Sequence, residues 1–167
     1  LDSSRGPTVR KYDFGISNGQ IQPIGDPVMV LENTDPDNQH GRQLDLSADT
    51  GSLVWTLSEE IEDGLWELSI HTLYLSDCTD LVQPCAALDE GQVLVEYDYH
   101  VHYPEPSTGW YLQNPVWGPF GDRVYFAARQ YGPDSHSHYV MAIDIASDGS
   151  ADGLPTVVFG IEDQVPG

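Results

Sequence analysis

The chain has 167 residues, and its 27 Asp and Glu against 6 Lys and Arg give a formal net charge of −21. Because phosphate binding needs a basic face, this balance excludes nucleic acid as an expected partner. No apolar run reaches the length of a membrane span, so no membrane-crossing segment is expected. We interpret the acid excess as a solvated, soluble surface, with divalent-cation binding as the alternative.

Two strands are predicted near the start of the chain. Val9–Ile16 reads as the closing strand of a repeat unit, and Ile24–Leu31 reads as an outer strand. Pro27 favours the outer position, because proline cannot donate a hydrogen bond to a neighbouring strand. The chain is therefore expected to begin with an incomplete repeat.

Two polar loops resemble calcium-binding loops in composition. Asn33, Asp35 and Asp37 alternate in the first, and Asp148–Gly153 forms the second. Neither carries the distal bidentate Glu that such loops use, although Ca²⁺ stays a possible ligand. We prefer plain turns, in which Asn and Asp side chains accept hydrogen bonds from their own backbone.

Three consecutive strands of one antiparallel sheet are predicted within Gln113–Gly149. Pro119–Asp122 has the residues of a tight turn, since Pro fixes φ and Gly supplies a positive φ. The second and third strands are predicted at Arg123–Ala127 and Tyr139–Ile145, with a loop over Arg129–Ser137 between them.

The same pattern occurs about seventy residues earlier, over Gln43–Asp77, a spacing typical of structural repeats. Gly51 then aligns with Gly121, and Ser69–Leu75 aligns with Tyr139–Ile145. This alignment places a loop at Ser58–Gly64 and predicts that the earlier segment also forms three strands.

A helix is the alternative for Leu57–Leu68, because apolar residues recur there at helical spacing behind Ser58. Gly64 weakens the helical interpretation, and we follow the repeat instead. A third unit is predicted at Pro84–Val95, where a turn at Asp89–Gly91 separates two strands. Fixed-period self-similarity with several strands per period is typical of propeller blades.

The repeat supports a family resemblance. Asn114–Phe126 and Tyr139–Asp144 resemble the blade repeat of TolB-like (WD-like) β-propellers, in which a first strand ends in Ser-Pro-Asp-Gly and an apolar strand follows. The corresponding positions here are Gly118–Gly121, Ser47–Gly51 and Leu88–Gly91, and none is an identical copy. The resemblance implies a fold and leaves the function open, because such propellers serve as binding platforms, as gates and as parts of redox complexes.

The expected fold is therefore all-β, with propeller-type blades of antiparallel strands. A single TolB-like segment spanning 1–167 would contain a partial blade at 1–42 and further blades at 43–83, 84–112 and 113–167. Because propellers close with about four to eight blades, this incomplete propeller is expected to belong to a longer chain or to pair its open edges with another subunit.

Cys78 and Cys85 are the only cysteines, and they are close in sequence. A disulfide between them would stabilise the loop by roughly 2–3 kcal/mol and would indicate an extracellular or periplasmic location. Two free thiols are the alternative. A zinc site is not indicated at the cysteines, since no further Cys or His follows at paired spacing.

The histidines give the sharpest chemical signal. His100 and His102 form one His-x-His pair, and His136 and His138 form another. In extended chain the two members of each pair point to one side, and the repeat places both pairs beside a loop of the same propeller face. Imidazole ligates Zn²⁺ and Cu²⁺ well, so a metal site is one hypothesis, with Asp98, Glu105 or Asp134 nearby. The alternative is that the four histidines are solvated loop residues.

Aromatic residues cluster in the same region. We expect Tyr99, Tyr103, Trp110 and Tyr111 to form a binding surface for sugar rings or for the apolar side chains of a protein partner. No nucleophile elbow, phosphate loop or haem attachment motif occurs, so no catalytic residue is predicted.

The predicted function is a secreted, non-catalytic β-propeller module for protein or carbohydrate binding, or for assembly. Two alternatives stay open. One is a metal-dependent enzyme or redox component that uses the four histidines. The other is a structural subunit of a ring or filament, built through unpaired strand edges.

Overall fold

The structure is a computed structural model that describes residues 9–11, 13–26, 28–35, 37, 39–47, 51–78, 85–101, 107–133 and 135–164. These residues form thirteen strands and a single 3-10 turn, and the part of the chain so described contains no α-helix. The all-β prediction is therefore confirmed.

The strands are numbered in chain order, and the 3-10 turn covers Leu75–Asp77. Their bounds are β1 (Val9–Lys11), β2 (Phe14–Ser17), β3 (Gln20–Pro23), β4 (Val28–Glu32), β5 (Gln39–Leu46), β6 (Ser52–Glu62), β7 (Leu65–Tyr74), β8 (Ala86–Ala87), β9 (Gln92–His100), β10 (Thr108–Trp117), β11 (Arg123–Tyr131), β12 (Ser135–Ile145) and β13 (Ala151–Gln164).

Three open sheets contain these strands. The largest has eight antiparallel strands in the order β13-β12-β11-β10-β9-β7-β6-β5. A three-stranded sheet has the order β1-β4-β8, and β2 and β3 form a separate hairpin. None of the three sheets closes on itself, so the described strands leave edges unpaired.

The eight-stranded sheet consists of two halves joined at one corner. Strands β9 and β10 share only two residue pairs, Thr108 with His100 and Gly109 with Tyr99. Beyond that corner β10 leaves β9 and lies against β5 and β6. We call β5, β6, β7 and β9 the N-terminal half, and β10 to β13 the C-terminal half.

The two halves repeat one another in detail. Each first strand has a bulge, at Gln43 in β5 and at Asn114 in β10, where φ is 53° and 52°. Gly51 and Gly121 occupy the turns that follow, with φ of 62° and 67°. The predicted repeat of Gln43–Asp77 by Gln113–Gly149 is thus confirmed as three strands in each copy.

Two apolar cores lie on opposite faces of the N-terminal half, because side chains alternate between the faces of a strand. Val54 and Ile70 face the C-terminal half and pack with Phe126 and Met141. On the other face Trp55 and its neighbours pack against Val30, Leu31 and Leu88, which belong to the small β1-β4-β8 sheet or follow it. The molecule is therefore three layers thick, with the N-terminal half in the middle.

Two predicted loops are much shorter than expected. β6 continues through Ser58 to Glu62, and β11 and β12 extend to Tyr131 and back to Ser135. The predictions of loops at Ser58–Gly64 and Arg129–Ser137 were wrong over most of their length, because polar ends of long hairpins look like loops in sequence. The helical alternative for Leu57–Leu68 is also excluded, since this range contains the end of β6 and the start of β7, which pair with each other as antiparallel strands.

The two strands predicted near the start of the chain also differ from those in the structure. Val9–Ile16 divides into β1 and β2, which belong to different sheets. Within the predicted strand Ile24–Leu31 only β4 forms, and it lies between β1 and β8 rather than at an edge. Pro27, on which the edge prediction rested, lies outside the described residues.

The predicted third unit is only partly present. The turn after β8 and the strand β9 occur where they were expected. β8, however, pairs in parallel with β4 through Leu31 and Ala86, and β9 pairs with β7. This segment is therefore not a further copy of the three-stranded repeat, and propeller blades as such are not confirmed.

Both polar loops are turns closed by their own side chains. In the first, Asn33 Oδ1 accepts a bond from the Asp35 amide at 3.1 Å and its Nδ2 donates to the Gln39 carbonyl at 2.9 Å. In the second, Asp148 Oδ1 accepts from the Ser150 hydroxyl at 2.6 Å and from its amide at 3.0 Å, and these bonds lower the pKa of Asp148. The prediction of Asx turns is confirmed.

Candidate binding cleft

An open cleft of about 220 Å³ lies at the corner where the two halves join. Its walls combine aromatic rings with a few polar groups, contributed by β5, β6, β7, β9 and β10. The lining residues are His40, Ser58, Trp66, Leu68, Tyr99, Val101 and Tyr111. A cleft of this size is smaller than the ~300–1,000 Å³ of typical drug-sized sites and suits a single ring.

Strand register brings most of these residues together. His40, Ser58 and Leu68 are directly opposite one another across β5, β6 and β7. Trp66 is opposite Tyr99 across β7 and β9, one step further toward the joined corner. Because opposite residues in an antiparallel pair have neighbouring side chains, the cleft follows from the pairing alone.

The aromatic rings are held in fixed orientations. The His40 and Trp66 rings stack with their centroids 5.6 Å apart, and the Ser58 hydroxyl donates to the His40 carbonyl at 3.4 Å. Tyr111 meets Tyr99 edge to face at a centroid distance of 5.6 Å. Such contacts fix ring planes without filling the cleft, so the site is pre-organised for a flat apolar surface.

Of the four residues predicted to form an aromatic binding surface, two line the cleft, and their role in binding stays a prediction. Tyr99 and Tyr111 line the cleft, whereas Tyr103 lies outside the described residues. Trp110 is placed elsewhere: its ring stacks on Tyr97 at 5.4 Å and lies 5.6 Å from Tyr139, against the core.

His40 and Trp66 were missed by the sequence analysis. They are far apart in sequence, and the repeat placed Trp66 outside the predicted strand Ser69–Leu75. The signal that could have found Trp66 is its alternation with Leu68 and Ile70, which indicates one face of a strand. Nothing in the sequence identifies His40.

The predicted metal ligands occupy strand ends. His100 ends β9, and His136 and His138 lie near the start of β12, while His102 is outside the described residues. The Tyr131 ring lies 4.8 Å from the ring of His136, and Arg129 Nε donates to His138 Nδ1 at 3.3 Å.

A guanidinium group directed at His138 disfavours a cation at the same nitrogen. Over the ranges that the structure describes, no three His, Cys, Asp or Glu side chains are grouped to hold a metal. The Zn²⁺ or Cu²⁺ hypothesis stays a prediction, because His102, Glu105 and Asp134 lie beyond those ranges.

A row of carboxylates crosses three strands near the cleft. Glu59, Glu67 and Asp98 are directly opposite one another on β6, β7 and β9. Partial burial raises the pKa of Glu67, and the negative charges of Glu96, Glu59 and Asp98 raise it further. Because side chains alternate along a strand, these carboxylates point to the face of the sheet opposite to the cleft.

A Ser-His pair occurs in the core. The Ser69 hydroxyl and His71 Nε2 are 2.7 Å apart, and His71 Nδ1 lies 3.3 Å from the Gly91 carbonyl. Ser69 and His71 are both buried, and His71 stacks on Trp55 at 5.5 Å. We assign the pair a structural role, because no substrate carbonyl could reach a hydroxyl enclosed in this way.

The predicted disulfide between Cys78 and Cys85 is present, and it leaves no free cysteine. It indicates an oxidising environment. The described residues include no helix with the length and hydropathy of a membrane span.

Comparisons with family models, curated proteins and solved structures find no match for this chain. The TolB-like resemblance therefore stays a prediction, and the function is argued from the cleft.

Proposed function

We propose that the chain is a non-catalytic binding module of a secreted protein, and that the cleft binds one ring of a neutral carbohydrate. The observation that carries this proposal is the convergence of Trp66, Tyr99 and Tyr111 on one open cleft of about 220 Å³. A pyranose presents an apolar face of C–H groups and a polar rim of hydroxyls. Aromatic walls with polar groups at the margin match both parts.

The polar groups are suitably placed for hydroxyl recognition. The Ser58 hydroxyl, the His40 ring and the tyrosine hydroxyls supply both donors and acceptors around the cleft. Their number is small relative to the aromatic surface, as is usual where a few polar groups fix the orientation of a ligand.

Charge restricts the class of sugar. The acidic row of Glu59, Glu67 and Asp98 lies on the opposite face of the strands that form the cleft, and the whole chain carries −21. Uronic acids and sulfated sugars would be repelled. A neutral oligosaccharide is therefore the favoured ligand, and an exported, disulfide-bonded protein is a suitable carrier of such a site.

Three features support a propeller-like architecture as the setting of the site. Each half has four antiparallel strands, the halves pack face to face, and β10 lies beside β5. We propose that the halves correspond to two consecutive blades of the TolB-like type, which places the cleft at the junction between blades.

The test is an NMR titration of the intact chain with neutral gluco-, xylo- and chito-oligosaccharides, observing the Trp66 indole N–H and the backbone amides of the residues that line the cleft. We expect shifts for at least one series, and a loss of affinity of about tenfold or more in Tyr111→Leu and Trp66→Leu. Phe120→Ala is the matched control, because Phe120 is an exposed aromatic in the turn after β10 and lies outside the cleft.

Absence of indole shifts with all three series would refute carbohydrate binding at the cleft. Equal loss of affinity in the Phe120→Ala control would place the sugar elsewhere. Tighter binding of an acidic oligosaccharide than of its neutral counterpart would contradict the argument from charge.

A further inference from the structure

The outer face of the C-terminal half is apolar and open. Val140 on β12 is opposite Phe159 on β13, and His138 is opposite Ile161. Phe159 and Ile161 are 59% and 52% exposed. Together with Ala127 they line a groove of about 200 Å³ on the side away from the N-terminal half.

The internal repeat shows what belongs on this face. In the N-terminal half Leu57 is opposite Ser69, and the corresponding pair in the C-terminal half is Ala127 with Val140. Leu57 and Ser69 are each 3% exposed, because the small β1-β4-β8 sheet covers their face, whereas Val140 is 40% exposed. The same position of the same repeat is thus covered once and open once.

A second unpartnered apolar surface lies on the opposite side of the molecule. The β2–β3 hairpin has Ile16 directly opposite Ile21, and they are 80% and 77% exposed. Gly15 and Gln22 lie on its other face. The hairpin therefore presents its apolar side to solvent, although an isolated two-stranded hairpin is at best marginally stable in water.

The hairpin lies near the small β1-β4-β8 sheet. Phe14, its first residue, lines a groove with Leu44 and Leu53 beside β5. Leu53 packs against the small β1-β4-β8 sheet, on the face of the N-terminal half opposite to that covered by the C-terminal half. The two open surfaces thus lie on opposite sides of the N-terminal half, which separates them within one chain.

We propose that a second copy of this chain covers the open face of the C-terminal half with the apolar side of its β2–β3 hairpin. Two different surfaces meet, so the contact is heterologous and propagates head to tail into a ring or filament. Each copy carries −21, so the copies repel and association strengthens as salt screens that repulsion.

The test is sedimentation velocity of the whole chain over a concentration series at about 0.05 M and about 1 M NaCl, where the screening lengths differ several-fold. We expect oligomers that grow with concentration and with salt. Phe159→Asp should block one surface, and Ile16→Asp with Ile21→Asp should block the other, each weakening association about tenfold or more. Ile61→Asp is the control, since Ile61 is exposed on β6 and outside both surfaces.

Mixing the two blocked variants gives the decisive result. Each retains one intact surface, so the mixture should form a one-to-one dimer that does not grow further. Phe159→Thr, which keeps a strand-forming residue, guards against loss of folding in the aspartate variant.

Three outcomes would overturn the proposal. The first is a wild-type chain that stays monomeric at every concentration and salt level. The second is a mixture of blocked variants that gives no dimer, which would indicate a symmetric contact or a different partner. The third is association that weakens with salt, which would indicate an interface held by opposite charges rather than by these apolar surfaces.

Discussion

At the scale of single residues, His71 is a buried titratable group whose pKa changes on folding. Burial lowers the pKa of His71, and the Gly91 carbonyl and the charge of Asp89 oppose that shift only in part. The native state therefore binds fewer protons than the unfolded chain below the ordinary pKa of 6.5. The free energy of unfolding must fall as the pH drops below that value.

We predict that this loss of stability at low pH is caused by protonation of His71. Urea unfolding of the wild-type chain should show stability decreasing from about pH 6.5 toward pH 5, by at most ~1.4 kcal/mol per pH unit. His71→Gln can keep a bond to Ser69 but cannot titrate, so its stability should vary less over that interval. Equal slopes for the two proteins would assign the effect to other groups.

Glu67 changes the pH dependence of stability in the direction opposite to that of His71. Its raised pKa means that the native state binds more protons than the unfolded chain above the ordinary value of 4.5. The stability contributed by Glu67 is fully present below pH 4.5 and is lost as the pH rises through its folded pKa. As the pH falls, His71 therefore lowers the stability of the native state whereas Glu67 raises it.

At the scale of secondary structure elements, the repeat was predictable because Gly and Pro mark its turns. Gly51 and Gly121 adopt positive φ, which glycine does without strain, and apolar strands follow both. Strand lengths were not predictable, since Ser58–Glu60 is polar and still pairs fully with β7. Cross-strand pairing rather than local composition decides where a long hairpin ends.

The disulfide is the element-scale feature with the clearest energetic consequence. Cys78 follows the 3-10 turn after β7 and Cys85 precedes β8, so the bond fixes the connection between two sheets. We predict that Cys78→Ala with Cys85→Ala lowers the unfolding free energy by roughly 2–3 kcal/mol, chiefly because the unfolded chain gains freedom.

Thermal unfolding with and without reductant is the measurement for the disulfide prediction. The double variant should match the reduced wild-type chain and should itself be insensitive to reductant. A melting temperature equal to that of the oxidised wild-type protein would show that the bond adds no stability.

At the scale of the whole molecule, the bulges connect the two halves. Asp45 Oδ2, just after the bulge of β5, accepts a hydrogen bond from the Trp117 amide at 2.9 Å. Gln43 Oε1 accepts from the Asn114 amide at 2.7 Å. The equivalent irregularities of the two copies therefore face each other and hydrogen-bond across the layers.

We predict that Asp45→Ala costs about 1–3 kcal/mol, because the part-buried Trp117 amide loses its acceptor. Asp45→Asn is the matched control: it keeps an acceptor oxygen and should lose much less. Equilibrium urea unfolding measures both variants, and equal losses would show that the charge of Asp45, rather than its hydrogen bond, joins the halves.

The sequence analysis also identified some of the residues that line the cleft. Tyr99 and Tyr111 were identified because aromatic residues cluster in their stretch of sequence, and both line the cleft. His40 and Trp66 were not, since their contact depends on the pairing of β5 with β6 and of β6 with β7, and Trp66 meets Tyr99 only because β7 pairs with β9. The cleft therefore required the order of strands in the sheet.

The sequence by itself determined the all-β class, the three-stranded repeat, the Asx turns and the disulfide. Each depends on local chemistry: turn residues, alternation of apolar side chains, and two cysteines close in the chain. Only the tertiary structure decided that the two copies stack face to face on a third layer, that His71 is buried, and that His40 meets Trp66. These features depend on which distant strands pair and which faces are covered, and packing free energy summed over the whole molecule fixes that choice.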